Sequence, residues 1–294
     1  MKNQFLNLNR LSKISLLLLV SSSCSKSVAT LDQPTAASKL SAHSHLTTVA
    51  DSATLLVDVN YESGTKNSGI PDLTTTHAAA DSAEYVVSSA RTGNYAIAHK
   101  VVVGDSSYFS DNHWRSEAAT AQLFDEGKYY NGDKRRFETS FLLKDWVPYT
   151  TAWAANGSII FQGKQNGGGN PAWYLNVKRN TITFRLPYAN IEPKIIDDFR
   201  PYINQWIDIR IDAKMTTDTT GYYKVYCRLQ GESDYTLKWE IANIATFNQA
   251  VTGPNPSGYL KWGLYLPASQ PNSTPPEVPT RIIYHDDIKI YSLD

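Results

Sequence analysis

Residues 259–265 read Tyr-Leu-Lys-Trp-Gly-Leu-Tyr, a stretch in which polar and apolar side chains alternate. Successive side chains of a β-strand point to opposite faces, so a strand here places Tyr259, Lys261 and Tyr265 on one face and leucine and tryptophan on the other. A nearby ammonium group lowers the pKa of a phenol from about 10, which suits the phenol to acid–base chemistry. The same alternation also fits an ordinary amphipathic strand with a polar outer face.

Short alternating runs of this kind recur from Thr54 to Asp294, separated by Gly, Pro, Asn and Asp, and no long amphipathic helix is found. The predicted strands are Leu55–Tyr61, Tyr95–Val103, His113–Ala119, Arg136–Leu143, Ser158–Gln165, Trp173–Lys178, Thr181–Leu186, Trp206–Ala213, Tyr222–Leu229, Tyr259–Leu266 and Arg281–Tyr291. No linker divides them. They predict a single all-β domain over residues 54–294, a jelly roll of two antiparallel sheets with a concave groove.

The composition limits the possible partners. The 28 basic and 28 acidic residues cancel, so no net charge attracts nucleic acid or an anionic membrane, and an acidic ligand must be held by local cations. Aromatic residues make up 12% of the chain, which suits strands and also suits surfaces on which sugar rings stack. We expect no nucleic-acid partner and a monomeric protein.

The first 23 residues have the features of an export signal. Basic residues precede an apolar run at 14–20 that is too short to span a bilayer, and small residues follow it up to Cys24. This arrangement resembles the lipobox of bacterial lipoproteins, which implies lipidation of Cys24. We expect an exported cell-surface or outer-membrane lipoprotein, with free secretion as the alternative. Residues 24–53, rich in Ser, Thr and Ala, are predicted to form a flexible tether.

The chain contains two cysteines, Cys24 and Cys227. Cys227 alternates with Val225 and Leu229 in its predicted strand, which indicates a buried, inert thiol. The sequence therefore gives no disulfide framework, and it contains no His/Cys cluster with zinc spacing.

Two further strands carry polar side chains on a shared face. In His-Trp-Arg-Ser-Glu-Ala, residues 113–118, Arg115 and Glu117 lie on one face, and an Arg fork suits two-pronged binding of a carboxylate. An internal Arg115–Glu117 ion pair is the alternative.

The other strand reads Ile-Ile-Phe-Gln-Gly-Lys-Gln at residues 159–165. Strict alternation places Gln162 and Lys164 on the face of Ile160, and Ile159 and Phe161 on the opposite face. The Gly-rich loop at 165–170 fits either a mobile lid over the groove or a long turn.

In order and rough spacing, these three segments resemble the signature strands of jelly-roll polysaccharide lyases, over roughly residues 85–291. In family 7 alginate lyases the strands read Arg-x-Glu-Leu, Gln-Ile-His or Gln-Val-His, and Tyr-Phe-Lys-x-Gly-x-Tyr, and glucuronan lyases and heparin lyase I have related patterns. Here Lys164 replaces the family histidine and Ala118 replaces the leucine. The overall resemblance is closest to the short ulvan lyases of family 28, in which a lysine and a tyrosine do the work of histidine and tyrosine.

This resemblance implies cleavage of an acidic polysaccharide by β-elimination at a uronic acid. Ulvan is the leading substrate, with alginate or glucuronan as alternatives. Carried over by position, Tyr265 transfers the proton, as base and also as a candidate acid, with Lys261 or Arg115 lowering its pKa. Lys164, Gln162 and Arg115 stabilise the charge that develops on the substrate carboxylate.

The remaining site candidates follow from the same motifs and from nearby polar residues. Tyr259 is expected to stack on, or donate a hydrogen bond to, a neighbouring sugar. Further candidates for substrate binding are Lys261, Glu117, Asn166, Arg185, Lys178 and Arg210, the last three as possible contacts for sulfate. Other candidates for proton transfer are Tyr284, Tyr188 and His99.

The predicted first and last strands bring carboxylates that could hold a structural ion. Glu62 and Asp287 are candidate ligands for a structural Ca²⁺, with solvated loop carboxylates as the alternative. The elimination chemistry requires no cofactor. A non-catalytic carbohydrate-binding module on the same fold remains another possibility. A hydrolase would need two carboxylates flanking the bond, and no Glu-x-Asp-x-x-Glu strand is present.

Overall fold

In the part of the chain that the computed structural model describes, residues 52–150, 156–267 and 276–294, sixteen strands form two antiparallel sheets. The strands of the first sheet, called the back sheet, are β1 (Ala53–Val59), β2 (Glu84–Val87), β3 (Ala96–Val102), β7 (Lys134–Lys144), β12 (Trp206–Lys214), β13 (Gly221–Leu229), β14 (Thr236–Ile244) and β16 (Thr280–Leu293). Their order is β14-β13-β12-β7-β16-β3-β2, and β1 also pairs with β16.

The second sheet, called the groove sheet, carries the three segments singled out in the sequence. Its strands are β4 (Phe109–Ser110), β5 (His113–Ala119), β6 (Lys128–Tyr130), β8 (Ser158–Gln165), β9 (Trp173–Lys178), β10 (Thr181–Arg185), β11 (Lys194–Ile196) and β15 (Ser257–Leu266). Their order is β11-β10-β9-β8-β15-β5-β4, and β6 pairs with β15. The segments Arg-Ser-Glu, Gln-Gly-Lys and Tyr-Leu-Lys-Trp-Gly-Leu-Tyr thus lie on three adjacent strands, β5, β8 and β15.

The two sheets bury aromatic and aliphatic side chains between them, as sandwich packing requires. Trp173 of β9 lies at the centre of an aromatic cluster, with ring centroids 5.5 Å from Phe137 of the back sheet and 5.3 Å from Phe161 of β8. Trp262 of β15 is fully buried, and its indole N–H donates to the Tyr61 hydroxyl at 2.8 Å. This core fixes β8, β9 and β15, whose alternate side chains form the opposite, outward face.

Short helical segments occur only as connections among the described strands. They are the 3₁₀ turns Asp81–Ala83, Ser106–Tyr108, Asp125–Gly127 and Arg200–Tyr202 and the short helix α1, Gln249–Thr252. The Asn248 side chain caps α1 by accepting from the Ala250 N–H at 3.1 Å. No helix in this part of the chain combines the length and the hydrophobicity needed to cross a membrane.

The jelly-roll prediction is confirmed, and each of the eleven predicted strands is present with ends shifted by at most a few residues. The alternation did not reveal β14, because this exposed strand has two register irregularities against β13 and no regular apolar face. β1 begins at Ala53, one residue before the expected start of the domain. The expected signal peptide, most of the tether and the lipidation residue Cys24 lie outside the described residues.

Candidate active site

The outward face of the groove sheet gathers the polar residues of the three motifs. Backbone pairing sets Tyr259 opposite Lys164 and Lys261 opposite Gln162. On the other side of β15, Tyr265 pairs with Arg115. The alternation predicted for β15 is correct, since Leu260, Trp262 and Leu264 are buried in the core. The residues brought together are Arg115, Glu117, Gln162, Lys164, Tyr259, Lys261 and Tyr265.

Two glycines permit this arrangement. Gly263 has φ +135°, and a Cβ atom there would overlap the Ser116 carbonyl oxygen of β5, so the motif requires glycine at this position. A Cβ atom on Gly163 would overlap the indole nitrogen of Trp173. Trp173 therefore packs directly against the backbone between Gln162 and Lys164.

Glu117 lies at the centre of the polar face and is only 7% exposed. Its carboxylate accepts from Gln162 Nε2 at 2.5 Å and from Lys261 Nζ at 2.6 Å. Arg115 Nη1 is farther away, at 3.9 Å. Glu117 therefore holds Lys261 and Gln162 in place, and the internal Arg115–Glu117 pair is the weakest of its contacts.

Arg115 is held mainly from the neighbouring turn. Its Nη2 forms an ion pair with Asp111, and its Nε donates to Ser110 Oγ at 3.1 Å. The Asp111 side chain is 64% exposed. A substrate carboxylate that binds Arg115 must therefore compete with Asp111.

The Lys164 ammonium donates to the carbonyl oxygen of Gly169, in the Gly-rich loop that follows β8. Burial lowers the pKa of Lys164, the neighbouring cations Lys261 and Arg115 lower it further, and Glu117 opposes them in part. Lys164 is therefore closer to its neutral, proton-accepting form than an ordinary lysine.

The pKa values of Tyr259 and Tyr265 are raised, whereas the sequence led us to expect lowered values. Burial raises the pKa of Tyr265, Glu117 raises it further, and the opposing effect of Arg115 is smaller. The pKa of Tyr259 is raised for the same reasons. Arg115 lowers the Tyr265 pKa, as expected, but burial and Glu117 outweigh it. The expectation of a net lowered pKa is therefore wrong, and Lys261 is paired with Glu117.

A register irregularity in β8 corrects the predicted alternation of that strand. Ile160 and Phe161 both belong to the core, whereas Ile159 lines the groove with Gln162 and Lys164. The irregularity lies between Ile159 and Phe161, so strict alternation fails at Ile160. The prediction that Ile160 shares the face of Gln162, with Ile159 on the opposite face, is wrong for this reason.

The groove continues on both sides of the central cations. Arg115, Glu117, Lys164 and Lys261 line two adjoining cavities, of about 390 Å³ and 160 Å³. The larger cavity is also lined by Thr74, Thr76, His77 and Gln122, and the smaller one by Tyr174, Asn170 and Pro171. An extended chain can thus lie across the cations. Apart from Asn170, which ends the Gly-rich loop, the sequence patterns missed these flanking residues because they lie outside the three motifs.

Lys178 and Arg185 lie on β9 and β10, farther along the groove sheet. Glu192 pairs with both cations, at 3.4 Å from Lys178 Nζ and 3.6 Å from Arg185 Nη1. Arg185 pairs across the strands with Tyr174, which lines the smaller cavity. The structure therefore brings Arg185 to the edge of the site and places Lys178 beyond it.

Two other expected substrate-binding residues are placed elsewhere. The Asn166 side chain holds the loop after β8, donating to the Asn255 carbonyl at 3.0 Å and accepting from the Ser257 N–H at 3.1 Å. Arg210 lies on β12 of the back sheet, where it pairs with Asp212 at 2.6 Å and stacks on Tyr226. Strand alternation cannot assign a residue to one sheet or the other, so the grouping of Arg210 with the groove is wrong.

The alternative proton-transfer candidates do not line either cavity. His99 is fully buried between the sheets beside Ser116, and burial together with His285 lowers its pKa. Tyr284 packs on the outer side of the back sheet. Tyr188 donates to the Asn170 carbonyl at 3.0 Å.

The carboxylates considered for calcium are occupied by protein donors. Glu62 accepts from the backbone N–H groups of Asn94 and Tyr95 at 2.8 and 2.9 Å, and Asp287 pairs with Lys289 at 2.9 Å. No group of three or more His, Cys, Asp or Glu side chains within residues 52–150, 156–267 and 276–294 is arranged to bind a metal ion. A structural Ca²⁺ at Glu62 and Asp287 stays a prediction.

Cys227 is buried and free, as the alternation of β13 predicted. Burial raises the pKa of its thiol to about 12. It is therefore unsuited to nucleophilic chemistry.

Comparisons with known proteins bear on the fold and on the family of the chain. No curated protein sequence matches the chain. Its fold is similar to that of an endo-β-1,4-glucuronan lyase from the fungus Trichoderma reesei, with a TM-score of 0.56 and 17% identity over 81% of this chain and 95% of that one. It is also similar to a marine alginate lyase from Aplysia kurodai, with a TM-score of 0.54 and 12% identity over 82% and 100% of the two chains.

The comparison of sequence families is more specific than the similarity of folds. The profile of the polysaccharide lyase family matches residues 61–289, which include every residue of the central polar face. The match covers more than half of the chain. The chain therefore belongs to the polysaccharide lyase family, and the protein is a polysaccharide lyase.

Proposed function

We propose that this lyase cleaves a uronic-acid-containing polysaccharide by β-elimination, with ulvan as the leading substrate. The observation that carries the proposal is the convergence of Lys164, Arg115 and Tyr265 on a groove that continues on both sides of them. The cations suit a substrate carboxylate, and the two open sides suit a polymer that is cut within its length.

The reaction requires a base, an acid and a site for negative charge. The base removes the C5 proton of the uronic acid, and the C5–H electron pair becomes the C4=C5 double bond. The C4–O4 bond breaks, and the leaving oxygen takes a proton from the acid. Negative charge grows on the carboxylate in the transition state, so groups that stabilise it there accelerate the step.

Lys164 is the candidate base and Tyr265 the candidate acid. The lowered pKa of Lys164 favours its neutral form, whereas the raised pKa of Tyr265 keeps the hydroxyl protonated and ready to donate. These opposite shifts assign the two roles differently from the sequence-based expectation of a tyrosine base.

Arg115 and Gln162 are the candidate ligands of the substrate carboxylate. Arg115 exchanges its exposed partner Asp111 for the substrate. Gln162 keeps a second amide hydrogen beyond the one it donates to Glu117. Lys261 remains paired with Glu117 and adds positive charge below the substrate.

The choice of ulvan rests on two features. The Lys164–Tyr265 pair resembles that of family 28 ulvan lyases, and Arg185 offers a guanidinium beside Tyr174 for a sulfate group. Glucuronan and alginate are the alternative substrates, because the similar solved structures include lyases for these two polymers.

The test is to incubate the full-length protein separately with ulvan, glucuronan and alginate and to follow the ultraviolet absorbance of unsaturated uronate ends. We expect the fastest rise with ulvan, and a rise about 1,000-fold slower for the Lys164→Met variant. A rise in absorbance with glucuronan or alginate alone would change the proposed substrate but would support β-elimination. No rise with any uronate polymer would contradict the proposal.

A further inference from the structure

His113 is the first residue of β5 and follows a two-residue turn at Asp111 and Asn112, whose φ angles are +46° and +65°. From there the strand alternates between core and groove. Trp114 is buried in the core, whereas His113 lies on the face of Arg115 and Glu117. The imidazole is therefore held at the edge of the candidate active site, although it belongs to none of the three motifs.

The ring of His113 contacts the ring of Tyr265. Their centroids are 4.9 Å apart with an interplanar angle of 80°, the edge-to-face geometry that aromatic pairs prefer. Tyr265 pairs along the backbone with Arg115, so His113 is its diagonal neighbour on the adjacent strand. A large ring on each strand can span that diagonal.

The orientation of Tyr265 is not fixed through its hydroxyl. Among the described residues its hydroxyl has no hydrogen-bond partner, and its direct cross-strand neighbours are Arg115 and Ile159. The Nδ1 atom of His113 is buried and also without a hydrogen-bond partner in this part of the chain. The two rings are therefore oriented by contact with each other and not by polar contacts.

We propose that His113 is a positioning residue that fixes the plane of the Tyr265 ring and thereby the place of its hydroxyl in the groove. The inference rests on the proposed role of Tyr265 as the acid. A proton donor must keep its position relative to the leaving oxygen, and a displacement of about 1 Å can cost up to about 100-fold in rate. The ring of His113, and not its charge, carries the effect.

Two substitutions of His113 distinguish the effect of its aromatic ring from the effect of its ring nitrogens. We expect His113→Ala to lower kcat about tenfold with KM changed less than about twofold, since a group that acts in the transition state affects kcat. His113→Phe keeps an aromatic ring at the contact and should restore kcat to within about twofold of the wild type. Unfolding curves of both variants verify the fold. An unchanged kcat in His113→Ala, or a His113→Phe variant as slow as His113→Ala, would overturn the inference.

The double variant His113→Ala/Tyr265→Phe and its two single variants test the positioning role of His113 separately from the proposed acid role of Tyr265. Once the acid is removed, the loss of its positioning residue should lower kcat no further. If Tyr265→Phe alone keeps wild-type activity, the proposed role of Tyr265 fails, and the positioning role fails with it. If Tyr265→Phe is inactive while His113→Ala has wild-type kcat, only the positioning role fails.

Discussion

The outward faces of the two sheets carry the same kinds of side chain and use them differently. On the back sheet, Asp208 accepts from Arg91 at 2.9 Å and from Arg228 at 2.8 Å, and Asp212 is likewise shared by Arg136 and Arg210. Each of these four guanidinium groups hydrogen bonds to a carboxylate. On the groove sheet, Glu117 is shared by Lys261 and the more distant Arg115, and the Lys164 ammonium donates to a backbone carbonyl.

The pKa shifts express this difference. Burial alone would raise the Asp208 pKa, but hydrogen bonds from Arg91, Ser140 and Arg228 outweigh it and lower the pKa. The pKa of Asp212 is lowered in the same way, so both carboxylates are stabilised in their charged form. In the groove, burial and like charges lower the Lys164 pKa, so the charged form is disfavoured. The back-sheet guanidinium groups are committed to carboxylates, whereas the groove cations are available for a substrate and for proton transfer.

The largest expected effect is the loss of Lys164. Lys164→Met should lower kcat about 1,000-fold, within the range for removal of an acid–base group, while the unfolding midpoint stays close to that of the wild type. The matched variant on the back sheet is Arg210→Met, which should leave kcat unchanged and lower the free energy of unfolding by about 1.5–3 kcal/mol, the scale of a hydrogen bond to a charged group. Initial rates and urea unfolding measure both. Equal initial rates for Lys164→Met and Arg210→Met would contradict the functional difference between the groove sheet and the back sheet.

Removal of the Tyr265 hydroxyl should have the next largest effect. Tyr265→Phe should lower kcat about 100-fold and leave polymer binding intact, because the phenol acts in the transition state. Tyr226→Phe is the back-sheet control, since Tyr226 stacks under Arg210 and lies outside the groove. Steady-state kinetics on a uronate polymer measures kcat and KM for both variants. A Tyr265→Phe enzyme with wild-type turnover would exclude this tyrosine as the acid.

The pH dependence of kcat tests the two opposite shifts. The rate should rise with pH as Lys164 loses its proton, and fall at higher pH as Tyr265 loses its own. Glu117 raises the pKa of both groups, so Glu117→Gln should move both limbs of the profile to lower pH. A pH–kcat profile of each enzyme measures the change. Limbs that stay in place, or move to higher pH, would contradict the assignment.

The smallest expected effect concerns Asp111, the exposed partner of Arg115. Asp111→Asn removes a competitor for Arg115 and should lower KM about two- to fivefold, the scale of an exposed ion pair, with kcat unchanged. The difference between the two enzymes should shrink at high salt, which screens exposed charges. If KM rises instead, Asp111 orients Arg115 for the substrate.

Much of this site could be predicted from the sequence because strand alternation is a local property. The alternation places Tyr259, Lys261 and Tyr265 on one face of β15 and Arg115 with Glu117 on one face of β5, as observed. Three polar segments in one β domain then suggested a shared groove. Alternation does not specify which strands pair, so the adjacency of β5, β15 and β8 is known only from the sheet topology.

The rest depended on properties that a local pattern does not contain. Arg210 alternates as regularly as Arg115, but the chain topology places it on the back sheet. The irregularity beside Ile160 depends on pairing with β9 and β15. The direction of the Tyr265 pKa shift depends on burial and on the pairing of Lys261 with Glu117, both of which are tertiary. His113 and Tyr174 could be placed in the groove only from the three-dimensional structure.

The most direct test of the central claim is to cleave the polymer in water enriched in heavy oxygen and to weigh the products by mass spectrometry. Elimination breaks the C4–O4 bond without adding water. We therefore predict fragments with unsaturated non-reducing ends, each lighter by one water than the saturated fragment that hydrolysis would give, with no heavy oxygen at those unsaturated ends. Saturated non-reducing ends, with the heavy oxygen at C1 of the new reducing ends immediately after cleavage, would show hydrolysis and would contradict the proposed elimination.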